Sequence, residues 1–160
     1  MSYVYKTVAS PVGMLTLAAR GGRLAAVLWE NDRPGRVRLG AMRPDDADPV
    51  LCEAERQLAE YFAGRRTRFE LELDFIGTDF QKKVWQALLT IPYGQTRSYR
   101  DIAVQVGSMN AVRAVGAANG RNPLSIIAPC HRVVGASGSL TGFAGGLSAK
   151  ATLLRLEGAR

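Results

Sequence analysis

Apolar and polar positions alternate through the first thirty residues, and the period there is that of a strand. Tyr3, Val4, Tyr5, Thr7 and Val8 are β-branched or aromatic and predict a strand over 3–9 that stops at Ser10-Pro11. Val12 to Ala18 predicts a second strand, and Gly21-Gly22 a tight hairpin turn into a third, Leu24 to Trp29. Residues 31–49 are polar, carry Pro34, Pro44 and Pro49, and predict a long loop. From Val50 the period changes. Leu51, Ala54, Leu58, Tyr61 and Phe62 recur at helical spacing, and Gly64 ends the helix. Phe69-Glu70-Leu71-Glu72-Leu73 alternates again, as a half-exposed edge strand would, and Asp74 to Gly77 marks a domain boundary.

The second half is mostly helical in pattern. Thr78 with Gln81 forms a capping box, and Phe80, Val84, Leu88 and Ile91 follow on one face, widened by Trp85 and Leu89. Ser98 with Asp101 forms a second box, opening a helix from Tyr99 to Val106. Gly107-Ser108-Met109 turns the chain into a third helix over 110–119, so the unit reads as helix-turn-helix. Leu124 to Ile127 predicts a buried extended segment leading to Cys130. Val133-Val134 and Leu140 to Phe143 predict a hairpin, and a last helix covers about 147–157. The pattern therefore predicts an α/β chain of two small domains. Residues 1–76 form an antiparallel sheet with a helix, and residues 77–160 a mostly helical domain.

The composition narrows the partner. Hydrophobic residues make up 47 %, enough for a core, and 21 Lys and Arg against 14 Asp and Glu leave a net charge of +7. Such a surplus favours a polyanion such as nucleic acid. There are two cysteines, Cys52 and Cys130, and one histidine, so neither a disulfide scaffold nor a zinc site of ordinary ligands is expected. No leader peptide or membrane span is expected either, and the predicted location is the cytoplasm.

Helix 110–119 carries one long cation, Arg113, among alanines and glycine. It has too few long polar side chains to read bases in a major groove. It suits either close backbone approach to a narrow groove or packing against a neighbouring helix, and the pattern alone leaves both open. Cys130 is equally two-sided. A buried free cysteine is commonly inert. Yet Pro129 fixes the backbone before it and His131 follows, and an imidazole is what converts a thiol, with a free pKa of about 8.5, into a nucleophilic thiolate.

Three further features accompany the stretch Pro129-Cys130-His131-Arg132-Val133. They are Arg113-Ala114-Val115-Gly116, Asn122-Pro123, and Leu153 to Glu157. Together these motifs resemble the O6-alkylguanine-DNA alkyltransferases, also called methylated-DNA–protein-cysteine methyltransferases. The resemblance is close from Thr78 onward and looser before it. It implies a ribonuclease H-like N-terminal domain and a winged helix-turn-helix C-terminal domain. The implied activity is irreversible, single-use transfer of an alkyl group from O6-alkylguanine, and from O4-alkylthymine, to Cys130. The base is first extruded from duplex DNA through the minor groove.

The same resemblance implies the site. Cys130 accepts the alkyl group, His131 takes the thiol proton through a water, and Glu157 orients His131. Asn122 holds the hinge before the active segment. Tyr99 assists rotation of the phosphate and bonds the base, and Arg113 fills the gap left by it. Ala114, Ala117 and Arg132 complete the DNA contact, while Phe143, Gly145 and Ser125 border the base pocket. No cofactor is implied, and the protein is expected to act as a monomer.

The sequence departs from the family at four places. Met109 and Ser125 stand where many or some relatives have proline, Ala128 where many have isoleucine, and Phe143 where several have tyrosine. Two other functions share this fold. A non-catalytic sensor of alkyl lesions would lack the acceptor cysteine, and a winged-helix regulator would need a helix richer in base-reading side chains. A cysteine hydrolase using Cys130, His131 and Glu157 would turn over repeatedly, which a thioether product forbids.

Overall fold

The computed structural model describes residues 2–160. It begins with three antiparallel strands, β1 (Tyr3–Val8), β2 (Leu15–Arg20) and β3 (Arg23–Trp29). Gly21 and Gly22 both adopt positive φ, 60° and 79°, as the predicted two-residue turn between β2 and β3 requires. A fourth strand, β4 (Met42–Pro44), was not expected. It lies within the supposed loop, pairs in parallel with β1, and gives the sheet order β3-β2-β1-β4. The sheet is therefore mixed rather than antiparallel. Short, exposed and ending in proline, β4 has the character of an edge strand and no apolar alternation to announce it.

The predicted edge strand over 69–73 does not form. Its contact with the sheet is a single bridge between Leu73 and Leu24. The buried side chain of Gln57 takes both backbone groups of Glu70: its Oε1 accepts from the Glu70 N–H at 2.9 Å, and its Nε2 donates to the Glu70 carbonyl at 3.1 Å. A side-chain amide thus replaces the ladder.

Helix α1 (Pro49–Phe62) starts at Asp48, whose carboxylate accepts from the N–H groups of Val50 and Leu51, with Pro49 in the first turn. It buries Leu51, Ala54, Leu58 and Tyr61 against the sheet. Both predicted capping boxes are present, at the start of α2 (Asp79–Leu88) and of α3 (Tyr99–Gln105). Helix α4 (Val112–Gly120) begins two residues later than expected, with no side-chain cap. The Trp85 indole ties α2 to α4 by donating to the Ala118 carbonyl at 2.8 Å.

The hairpin expected over 133–143 is absent. Strand β6 (Val133–Val134) instead pairs in parallel with β5 (Arg97–Ser98), and Gly135 turns back on itself through a bond to the Ser139 carbonyl. The chain ends in α5 (Leu147–Leu156). No helix among the described residues is long and apolar enough to cross a membrane.

Two apolar cores result. One, under α2, α3 and α4, includes Trp85, Ile102, Val115 and Cys130. The other, between the sheet and α1, also takes in Leu124, Ile126, Ile127, Ala128 and Leu153 from the second half. The segment leading to Cys130 is thus packed into the N-terminal core, and its placement depends on both halves. Ile126 in it has φ 74°, the one positive-φ residue among the described residues that is not glycine. A β-branched side chain is costly there. It is held by burial and by the Ala128 N–H donating to the Leu124 carbonyl at 2.8 Å.

Candidate active site

Cys130 opens a single 3-10 turn, Cys130–Arg132, after Pro129. Its side chain is only 3 % exposed. Burial pushes the thiol above its ordinary pKa, and the polar groups of Asn122 and Ser125 and the charges of Arg36 and Lys150 pull it back only in part. The resting group is the neutral thiol, so reaction at neutral pH needs a base beside it.

His131 is fully buried, and burial pushes its imidazole below the ordinary value despite the carboxylate next to it. Its Nε2 lies 2.8 Å from Glu157 Oε2. Glu157 is held as a carboxylate. Burial alone would raise its pKa, but hydrogen bonds from His131, Arg132 and Tyr61 outweigh that and leave it at about 2. A carboxylate only accepts, so Nε2 carries the ring proton and Nδ1 presents its lone pair. Nδ1 has no hydrogen-bond partner within the protein. The dyad therefore offers a free basic nitrogen on the residue next to the thiol, with a carboxylate placed to stabilise the imidazolium.

Arg132 is not where sequence reasoning put it. Expected to touch DNA, it is buried, with Nε and Nη2 on the two Glu157 oxygens at 2.7 and 2.9 Å and Nη1 on the Ile91 carbonyl at 2.7 Å. It neutralises the triad carboxylate. Tyr61, predicted only as an apolar position at helical spacing, donates through its hydroxyl to Glu157 Oε2 at 2.5 Å. Helical spacing could place Tyr61 on the buried face of α1 but could not show its partner 96 residues away.

Asn122 is in position: its Nδ2 donates to the Ala128 carbonyl at 2.8 Å and its Oδ1 accepts from Leu124 N–H at 3.0 Å, clamping both ends of the active segment. Arg36, hidden in the polar loop, reaches across to the carbonyls of Gly120 and Asn122 at 3.1 and 2.9 Å, and Asp32 neutralises it. Nothing local in the sequence distinguishes it from the other arginines nearby. Lys150 is also buried, with Nζ 2.7 Å from the Val133 carbonyl.

Arg113, Ala114 and Ala117 all lie on the exposed face of α4, while Val115, Ala118 and Asn119 are buried. Tyr99 sits behind that helix at the start of α3, its hydroxyl 2.6 Å from Thr141 Oγ1. A Cβ on Gly116 would lie 3.9 Å from the Tyr99 ring, an ordinary van der Waals contact that an alanine could also make. Between α4 and the segment 142–144 lies a cleft of about 580 Å³, walled by Gly116, Ala117 and Phe143, with Arg33 and Arg121 on its rim. Ser125 and Gly145, expected in the pocket wall, stand behind this cleft around Trp29. The indole donates to Ser125 Oγ at 3.0 Å and meets Phe143 edge-on at 5.4 Å, and a Cβ on Gly145 would lie 2.7 Å from it.

Two family models match this chain. Residues 3–75 match the ribonuclease-like domain of 6-O-methylguanine DNA methyltransferase, and residues 79–159 match its DNA binding domain. A methylated-DNA–protein-cysteine methyltransferase of Mycobacterium bovis is 52 % identical over 158 residues, covering 98 % of this chain and 93 % of the relative. The constitutive methylated-DNA–protein-cysteine methyltransferase of Bacillus subtilis is 48 % identical over 159 residues, covering 98 % and 96 %. The crystal structure of Mycobacterium tuberculosis OGT in complex with DNA superimposes with a TM-score of 0.89 at 51 % identity, covering 98 % of this chain and 93 % of that one. With this fold, and full-length similarity of this degree, the chain belongs to the methylated-DNA–protein-cysteine methyltransferase family.

Proposed function

We propose that this protein repairs duplex DNA by moving an alkyl group from O6 of an extruded guanine, or O4 of thymine, onto Cys130. The observation that carries this reading is the buried neutral thiol next to a histidine whose Nδ1 is free and whose Nε2 is fixed by Glu157. His131 takes the thiol proton at Nδ1 through a water. The sulfur attacks the alkyl carbon, the S–C bond forms and the O6–C bond breaks, and its electron pair passes to the guanine. The restored guanine takes up a proton in place of the alkyl group, and His131 releases the one it took. The thioether product is chemically stable, so each molecule acts once.

The exposed face of α4 supports the DNA contact. Its small residues allow close approach to the backbone, and Arg113 is free to fill the space of the extruded base. Tyr99 and Thr141, behind it, hold a hydroxyl pair for the base and its phosphate. The same reading has the protein act as a monomer. The need for a reduced thiol supports a cytoplasmic location. Single-turnover transfer from a duplex carrying O6-methylguanine tests the reading: a methyl thioether on Cys130 is expected, and unmodified Cys130 with persisting lesion would refute it.

A further inference from the structure

We propose that the cavity between the two halves, beside the loop that follows α1, is a second binding site, and that its ligand is a small organic anion with an aromatic body, such as an aryl carboxylate. The cavity holds about 440 Å³, a size that suits a small molecule. Arg68 and Phe69 line it from the N-terminal half, Tyr93 from the turn after α2, and Ile126, Ile127 and Arg132 from the segment around Cys130. It shares no lining residue with the cleft beside α4, so it stands apart from the surface read above as the DNA contact.

Its charge is one-sided. Among the described residues no carboxylate lines it. The Arg132 guanidinium is matched by both oxygens of Glu157. Arg68 has no such match: its neighbour Arg66 takes Glu60 at 2.8 Å, and Arg68 forms no ion pair among the described residues. Arg66 also donates to the Arg68 carbonyl at 2.9 Å, which fixes the backbone that presents Arg68 at the cavity. An unmatched guanidinium at the mouth favours an anion, and its planar fork fits a carboxylate through two parallel hydrogen bonds.

The walls select the rest of the ligand. Phe69 and Tyr93 are both half-buried, and both pack on Tyr61, with ring centroids 5.3 and 6.3 Å from it. A further ring can join that cluster from the cavity side. Ile126 and Ile127, both buried, add an aliphatic floor. A ring between these walls with its charge at Arg68 uses both features, whereas acetate would use one alone. The site also touches the supports of the triad, because Tyr61 and Arg132 both hold Glu157. A ligand seated there bridges the two halves and stabilises the folded chain by mass action.

The test titrates isotope-labelled protein with naphthoate and follows the backbone amide resonances. Naphthalenemethanol serves as the ring without the charge, and acetate as the charge without the ring. In the wild type, naphthoate should move the signals of residues 67–69, 91–93 and 126–127 saturably and raise the melting temperature as its concentration rises. It should bind about two- to fivefold more tightly than naphthalenemethanol, the size of one exposed ion pair. Acetate should give no saturable shift. Arg68→Ala, at an exposed position, should remove the preference for the anion and leave binding of the alcohol unchanged. Shifts centred on residues 116–117 and 142–144 would put the anion in the α4 cleft and overturn the proposal. So would equal binding of the two naphthalenes by the wild type, an undiminished preference in Arg68→Ala, or no saturable binding of naphthoate.

Discussion

The hydroxyl of Tyr61, on the helix of the N-terminal half, donates to Glu157 Oε2 at 2.5 Å, the same oxygen that faces His131. Burial, and then the neighbouring carboxylate, raise the Tyr61 phenol far above its ordinary value, so it stays a donor at every working pH. Tyr61→Phe removes one hydrogen bond to a charged acceptor and nothing else. It should cost about 1.5–3 kcal/mol in urea unfolding. Alkyl transfer should slow less than on loss of His131, because Arg132 still holds the carboxylate. A variant as stable as the wild type would show that the contact contributes nothing.

Acid should weaken the fold through the same triad. Glu157 is held at about 2, and His131 is pushed below its ordinary value by burial. Unfolded, a glutamate titrates near about 4.3 and a histidine near about 6.5. For both groups the unfolded chain binds the proton first, so stability falls with pH. The His131 share begins to be lost below about 6.5. The Glu157 share is complete above about 4.3 and is lost as pH drops toward 2. Glu157→Gln should be about 3–5 kcal/mol less stable than the wild type at neutral pH, since it leaves Arg132 buried without its partner. That gap should narrow in acid. A gap independent of pH would mean that Glu157 is not ionised in the folded protein.

Arg113 is exposed on α4, on the face proposed to meet DNA. Arg113→Ala should slow transfer from a lesion in duplex DNA far more than transfer from the free base O6-benzylguanine, because only the duplex requires extrusion. Equal losses on both substrates would contradict the role.

Much of this was legible in the sequence wherever it depended on local chemistry. The Gly21-Gly22 turn and the boxes at Thr78 and Ser98 lie within a few residues of their partners and form as read. The active stretch and Glu157 were found through a resemblance, and the structure brings them together. What was missed is long-range. Gln57 captures Glu70 and prevents an edge strand, Arg36 crosses to Asn122, Tyr61 to Glu157, and Arg132 turns inward. Each is a polar side chain whose partner is distant in sequence, and no period or spacing encodes that.

The central claim is that Cys130 alone accepts the alkyl group, once. Cys52 is half-buried on α1, remote from the imidazole, with its thiol on the Asp46 carbonyl at 3.2 Å. The most direct measurement is peptide mass mapping after incubation with excess duplex carrying isotopically labelled O6-methylguanine, run on the wild type, Cys52→Ala, Cys130→Ala and His131→Ala. The label should appear on Cys130 and plateau at one methyl group per protein, with Cys52→Ala indistinguishable from wild type. Cys130→Ala should bind the duplex and take no label, and His131→Ala should be slower by roughly 10²–10⁴, as for a lost general base. Label on Cys52, or methyl release continuing well past one per protein, would contradict the account.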